Sequence, residues 1–168
     1  YISKLNYERT TEPQKCSVCK IMKPSENYSL DKKRKNGIHA NCKECLYKRE
    51  VERKYKNVNN FILDLYRNSF QRSKKSKVPF NLTVDEWIDI YNTQQGKCAL
   101  TGVEMTFLYK PGRNFETNIS PDQKIPKAGY TKENLHFVCW YVNQAKNDLN
   151  IDTFIEMCRR VANFNTPT

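Results

Sequence analysis

Hydrophobic and polar positions change their spacing in the last third of the chain. Leu135–Cys139 alternate in the manner of a strand, and from Trp140 onward the hydrophobic positions follow helical spacing. Residues 118–120 indicate the end of an earlier strand, and a loop punctuated by proline and glycine spans residues 121–133. The pattern therefore predicts two strands joined by a loop and followed directly by a helix.

Further helices and strands are predicted before and after this unit. Hydrophobic residues at helical spacing lie on one side of a segment that begins near residue 60, namely Phe61, Ile62, Leu65, Tyr66 and Phe70. Thr83 and Glu86 have the spacing of a capping box, which predicts a second helix. Strands are predicted over residues 103–109 and 115–119. A last helix is predicted to begin after an Asp152 N-cap and to bury Phe154, Ile155, Cys158 and Val161.

The composition limits the hydrophobic core and indicates a polyanionic partner. Of the 168 residues 38% are hydrophobic, and 29 Lys and Arg against 18 Asp and Glu give a net charge of +11. Nucleic acid is the simplest partner for this charge, and an anionic membrane surface is the alternative. Because no apolar run approaches transmembrane length and no signal peptide is recognised, we expect a cytoplasmic protein without membrane contact.

Four of the seven cysteines form two Cys-x-x-Cys pairs. Cys16 and Cys19 make the first pair, and Cys42 and Cys45 make the second. Each pair presents two thiolates from one tight turn, and two such turns complete a tetrahedron around Zn²⁺ with no open position. The spacing predicts a structural zinc site rather than a disulfide framework, and four unrelated thiols are the alternative.

Three side chains with oxygen ligands are predicted to converge on the strand–loop–strand–helix unit. Asp122 follows the first strand, Asn134 precedes the second, and Asn143 lies one turn into the helix. Hard oxygen ligands of this kind suit Mg²⁺ or Mn²⁺, which take the rest of their shell from water and phosphate. The arrangement predicts a divalent-metal site.

This stretch resembles the HNH, or ββα-metal, endonucleases. The matching positions are Gly129-Tyr130, Asn134, Cys139, Asn143 and Lys146. The resemblance implies that Asp122 and Asn143 hold the divalent metal, that Asn134 braces the loop, and that the substrate is double-stranded DNA. The N-terminal residues 15–48 also resemble the four-cysteine zinc module of phage nucleases in this family.

The position of the general base departs from the family pattern. Gln123 stands where the family has histidine or arginine, and an amide cannot accept a proton at neutral pH. His136, two residues beyond Asn134, is the candidate replacement. A partly exposed strand histidine without a catalytic role is the alternative reading of His136.

Two other cysteines have lost the second member of a pair. Many relatives carry Cys-x-x-Cys at two further places, but here Thr101 follows Cys98 and Val142 follows Cys139 at that spacing. We therefore predict no second zinc. Cys98 and Cys139 are expected to pack as small buried hydrophobic residues.

Basic residues in several segments are candidates for binding DNA phosphates. They are Lys32, Lys33, Arg34, Lys35, Lys74, Lys75, Lys77, Arg113, Lys124, Lys127 and Lys146. Solvated surface charge is the alternative for each run. The sequence leaves open whether the chain forms a homodimer.

Together these features predict an α+β protein with three parts. These are a four-cysteine zinc-binding module over residues 1–50, a helical connector over 51–79 and a ββα-metal nuclease domain over 80–168. The predicted function is metal-dependent DNA endonuclease, with catalytic residues Asp122, Gln123, Asn134, His136 and Asn143. A catalytically impaired DNA-binding protein derived from such a nuclease is the alternative, and a zinc adaptor that binds protein is disfavoured by the net charge.

Overall fold

The computed structural model describes residues 10–166 and divides into two compact units, the first ending at Lys54 and the second beginning at Tyr55. The sequence predicted a zinc module over residues 1–50 and a helical connector over residues 51–79. Helix α2 (Val58–Ser76), within that connector, contributes Phe61 and Ile62 to the core of the second unit. Burial of these two large apolar side chains removes them from water, and this stabilises the packing of α2 in the second unit.

The first unit consists of two small hairpins and a helix. Strands β1 (Gln14–Lys15) and β2 (Met22–Lys23) pair antiparallel, as do β3 (Tyr28–Leu30) and β4 (Ile38–Cys42), and helix α1 (Lys43–Lys54) follows directly. Its hydrophobic core is formed by Cys16, Tyr28, Ile38 and Cys42. Half of this core is thiol, so apolar burial alone gives the unit little stability.

The second unit places one hairpin between helices. Helices α2 and α3 (Val84–Thr93) precede the antiparallel strands β5 (Ile119–Gln123) and β6 (Leu135–Cys139), and α4 (Trp140–Lys146) and α5 (Ile151–Asn165) follow them. The predicted strand and helix at 135–146 are confirmed. The capping box is confirmed too, with Thr83 and Glu86 each bonded to the backbone of the other.

Strand β6 is buried on both faces. Leu135 and Phe137 pack in a cluster with Trp87 of α3, and the Trp87 and Phe137 rings meet edge to face with centroids 5.3 Å apart. Val138, on the other face, packs with Val142 of α4 and Phe154 of α5 in a second cluster. The hairpin is therefore held from both sides, and the residues it carries have fixed positions.

The segment that enters the hairpin differs from the prediction. Strands were expected over residues 103–109 and 115–119, but residues 103–118 form isolated bridges, one of them between Thr106 and Asn118. The Asn118 side chain accepts a hydrogen bond from the N–H of Leu108 and donates one to its carbonyl oxygen, each 2.8 Å long. A side chain thus takes the place of a neighbouring strand's backbone.

The last helix also differs from the prediction. Its N-cap is Asn150 rather than Asp152, because the Asn150 side chain accepts the N–H of Thr153. Phe154 is buried as predicted, whereas Cys158 is exposed and Val161 is 58% exposed. Within residues 10–166 no helix is both long enough and apolar enough to cross a membrane.

Gly129 anchors the loop of the hairpin to the segment before α3. Its φ of +103° favours glycine, and a Cβ there would lie 2.8 Å from the carbonyl oxygen of Pro79. The adjacent Tyr130 N–H donates to that same oxygen at 2.9 Å. A side chain at position 129 would therefore push this oxygen away from its donor.

We expect Gly129→Ala to lower the free energy of unfolding by about 2–3 kcal/mol, because backbone strain and a backbone clash combine. Gly112→Ala is the matched control, since Gly112 also has a positive φ, +70°, but has open space around its Cβ position. The control should cost about 1 kcal/mol. Denaturant unfolding measures both, and equal losses would contradict the role given to the Pro79 contact.

Candidate functional site

The four paired cysteines converge in the first unit. Their sulphur atoms all lie within 4.8 Å of one another, as the paired spacing predicted. Cys16 and Cys19 come from the turn between β1 and β2, Cys42 ends β4, and Cys45 lies in the first turn of α1. Thiolates crowded in this way repel one another, so the cluster is favourable with a cation among them and fits a tetrahedral zinc ion.

Backbone groups favour ionised sulphur in this cluster. Burial opposes ionisation of Cys16, but N–H groups of Cys42, Cys19 and Val18 outweigh it and lower the pKa of the thiol to about 6. The Cys42 N–H lies 3.3 Å from the Cys16 sulphur. Burial and the three neighbouring thiols raise the pKa of Cys45 to about 12. Cys16 is therefore readily ionised without a metal, whereas ionisation of Cys45 requires the positive charge of a bound cation.

Asp122 and His136 form a buried pair on the hairpin. They stand directly opposite each other in the β5–β6 register, so both side chains lie on the same face. Nε2 of His136 donates to Oδ2 of Asp122 over 2.7 Å, and the two side chains are 6% and 5% exposed. The carboxylate therefore fixes the orientation of the imidazole, and Nδ1 is the ring nitrogen left over.

Lys146 binds the other oxygen of Asp122. Its side chain is fully buried, and its Nζ lies 3.1 Å from Oδ1 of Asp122 and 2.8 Å from the carbonyl oxygen of Gln123. The sequence assigned Lys146 to DNA phosphates, but in this structure its ammonium faces the interior. A buried ammonium needs paired oxygens, and the end of β5 supplies them.

Asn143 lies one turn before Lys146 on α4 and bonds to the same strand. Its Nδ2 donates to Ser120 Oγ at 2.7 Å and to the carbonyl oxygen of Pro121 at 3.1 Å. Pro121 directly precedes Asp122, so Asn143 is bonded to the two residues before the one that carries the carboxylate, and its role as a metal ligand stays a prediction. The Oδ1 atom of Asn143 has no hydrogen-bond partner within residues 10–166.

Asn134 braces the loop of the hairpin. Its Oδ1 accepts from the Ile125 N–H at 2.9 Å, and its Nδ2 donates to the carbonyl oxygens of Gly129 and Ile125 at 2.7 and 3.1 Å. Every polar atom of this amide is used within the loop. Asn134 therefore joins the two ends of the loop, and its bracing role in a catalytic site stays a prediction.

Gln123 faces the loop rather than the Asp122 pair. Successive residues of a strand point to opposite faces, which puts the Gln123 side chain away from that of Asp122. Its Oε1 accepts from the N–H of Gly129 over a long 3.4 Å. An amide so placed can orient a partner but cannot take a proton.

The candidate DNA-binding cations differ in exposure. Exposed side chains are those of Lys32, Lys33, Arg34, Lys35, Lys74, Lys75, Lys77, Arg113 and Lys127. Lys124 is half-buried and donates to the carbonyl oxygen of Glu133. An open groove beside His136 is lined by Lys124 and by Lys132. Lys132 was not selected from the sequence, because a single lysine in a polar loop carries no pattern.

Cys98 and Cys139 pack together beneath α4, as predicted for small buried residues. Burial and a hydrogen bond with Cys98 raise the pKa of the Cys139 thiol to about 11. Burial opposes ionisation of Cys98, but the Thr101 hydroxyl and nearby N–H groups prevail and lower its pKa. The predicted third buried cysteine, Cys158, is exposed because its side of α5 faces solvent.

The chain was compared with protein families, with curated proteins and with solved structures. No protein-family model matches the chain. No curated protein matches it either. Among solved structures the chain is similar to the rare-cutting HNH restriction endonuclease PacI, with 13% sequence identity, a TM-score of 0.48, and coverage of 89% of this chain and 93% of that chain.

Proposed function

We propose that this protein is a divalent-metal-dependent endonuclease that hydrolyses phosphodiester bonds in double-stranded DNA. The observation that carries the proposal is the buried carboxylate of Asp122, which His136 and Lys146 hold on a hairpin that leads directly into α4. Asn143 of that helix is bonded to Pro121, the residue before Asp122. Burying a carboxylate is costly, and an arrangement built only for stability would more simply use apolar residues. The basic chain supplies the attraction for DNA.

The donor atoms beside α4 fit Mg²⁺ or Mn²⁺. Within residues 10–166 each carboxylate oxygen of Asp122 accepts from one side-chain donor and keeps a lone pair, and the amide oxygen of Asn143 has no hydrogen-bond partner. Such an ion, when bound, would neutralise charge that develops on the phosphate during hydrolysis. Asp122 and Asn143 would hold it, and zinc in the four-cysteine cluster would be structural.

His136 is the side chain best placed to accept a proton from water. Its Nε2 is bonded to Asp122, so Nδ1 carries the lone pair, and the residue borders the groove that contains Lys124 and Lys132. The carboxylate selects this tautomer and stabilises the imidazolium formed by proton transfer. Gln123 lacks this chemistry.

Substitutions at His136 and at Gln123 test which of the two residues acts as the general base. We expect His136→Ala to slow cleavage by about a hundredfold or more, because general-base catalysis is lost. Gln123→Ala is the matched control and should change the rate by less than about threefold, and Gln123→His should raise it if position 123 can also serve. Single-turnover cleavage of a plasmid measures the rates, and an unchanged rate in His136→Ala would refute the assignment of the base.

Most of the affinity for DNA is expected to be electrostatic. If the basic runs around Lys33 and Lys75 neutralise about six phosphates, affinity should fall roughly a thousandfold between about 50 and 200 mM salt. Fluorescence anisotropy of a labelled duplex measures this slope. A binding constant that does not change with salt would contradict the proposal, and loss of binding to one base sequence on Lys33→Ala would indicate base reading instead.

The second candidate function is DNA binding without cleavage. The amide of Gln123 at the family's base position, used here as a hydrogen-bond acceptor for Gly129, favours it. Incubation of the zinc-loaded protein with supercoiled plasmid separates the two functions. Nicked or linear product that requires Mg²⁺ or Mn²⁺ supports the nuclease, and salt-sensitive binding without any product supports the binding protein.

A further inference from the structure

The candidate metal site contains its own cation. Asp122 is the carboxylate of the site, and one of its oxygens is bonded to the ammonium of Lys146 at 3.1 Å. An ammonium and a carboxylate at this distance cancel most of each other's field. A divalent ion approaching Asp122 therefore meets a site whose negative charge is already compensated.

Lys146 cannot leave as a surface lysine would. It has no exposed surface, it lies in the last turn of α4, and its Nζ also donates to the Gln123 carbonyl oxygen. Withdrawing it would leave two acceptors without a donor inside the protein, which is unfavourable. The compensating charge is therefore a permanent part of the site.

Lys146 also fixes the relation between the two proposed ligands. Asn143 bonds to Ser120 and Pro121, and Lys146, one turn later, bonds to Asp122 and Gln123. These four hydrogen bonds join one side of α4 to consecutive residues of β5. The helix that carries Asn143 is thereby held in register with the carboxylate.

We infer that Lys146 is a positioning residue and internal counter-cation that keeps divalent-metal affinity low until a DNA phosphate adds negative charge. The inference rests on the proposed function. Metal and DNA should then bind cooperatively, since each raises the affinity for the other by the same factor. Removing the ammonium while keeping the volume of the side chain should uncouple them.

Titration of Mn²⁺ into the zinc-loaded protein, followed by the electron paramagnetic resonance signal of the free ion, tests this without any cleavage. We expect Lys146→Met to bind Mn²⁺ at least tenfold more tightly than the unsubstituted protein, and Lys146→Arg, which keeps the charge, to resemble it. Asp122→Asn reports how much Mn²⁺ binds elsewhere. A folded Lys146→Met protein with equal or weaker Mn²⁺ affinity would overturn the inference.

A second measurement uses the unsubstituted protein, so it tests the coupling of metal and DNA binding even if the Lys146→Met protein does not fold. Mn²⁺ affinity is compared with and without a saturating duplex whose phosphorothioate linkages resist cleavage. We expect a rise of at least tenfold, and a change below twofold overturns the inference while leaving Mg²⁺-dependent cleavage intact. Absence of both Mn²⁺ binding at Asp122 and cleavage refutes the proposed function, and the inference with it.

Discussion

We expect Asp122→Ala to lower the proposed rate of DNA cleavage by about a thousandfold or more. The substitution removes the charged ligand proposed for the divalent ion and the group that orients His136. It also leaves the buried ammonium of Lys146 without its carboxylate, which we expect to cost about 3–5 kcal/mol of stability. The measurement is single-turnover plasmid cleavage, with thermal unfolding run in parallel.

Two further variants separate loss of chemistry from loss of structure. Asp122→Asn keeps the shape of the side chain and should fold better than the alanine variant yet remain as slow. Asp148→Ala removes an exposed carboxylate just beyond α4 that forms an ion pair with Lys127 at 3.7 Å. It should change neither rate nor stability by a measurable amount. Normal cleavage by Asp122→Asn would place the catalytic centre elsewhere.

Cys42→Ser is expected to unfold the first unit while leaving the second folded. The apolar part of the first core is Tyr28 and Ile38, so the free energy of binding zinc, about 10–16 kcal/mol in small zinc domains, supplies most of its stability. Elemental analysis should find one zinc lost. Proteolysis should cut between residues 10 and 54, and the Asp122 site should still bind Mn²⁺.

Cys158→Ser makes the same chemical change at an exposed position of α5 and serves as the control. It should keep the zinc and resist proteolysis. A Cys42→Ser protein that retains zinc, or that loses zinc and stays protease-resistant in the first unit, would contradict the assignment of the four-cysteine cluster.

The features predicted well from sequence depend on short-range patterns. Cys16, Cys19, Cys42 and Cys45 are paired at a spacing with few other uses, and their convergence is confirmed. The capping box and the change from alternation to helical spacing at Trp140 are likewise local. The capping box, the start of α4 and the spacing within each cysteine pair depend on residues a few positions apart, so distant packing did not change them.

The features that the sequence did not predict depend on contacts between elements that are distant in the chain. The apolar side of α5 predicted burial of Val161, but no neighbouring element covers it among residues 10–166. Lys146 carries the commonest surface charge, and its burial follows from a carboxylate that reaches it from 24 residues away. The pairing of Asp122 with His136 required the β5–β6 register, which the loop length alone did not give.

The way the hairpin loop is fastened bears on how such a protein changes over evolution. Asn134 closes the loop through its own backbone and amide, and the N–H of Tyr130 joins the far end to Pro79. Between these fixed points, residues 125–128 are largely exposed and bear no part of the Asp122 pair. Side-chain changes can therefore accumulate at 125–128 without disturbing the buried charges. If the proposed function holds, this short segment is where new DNA preferences would arise.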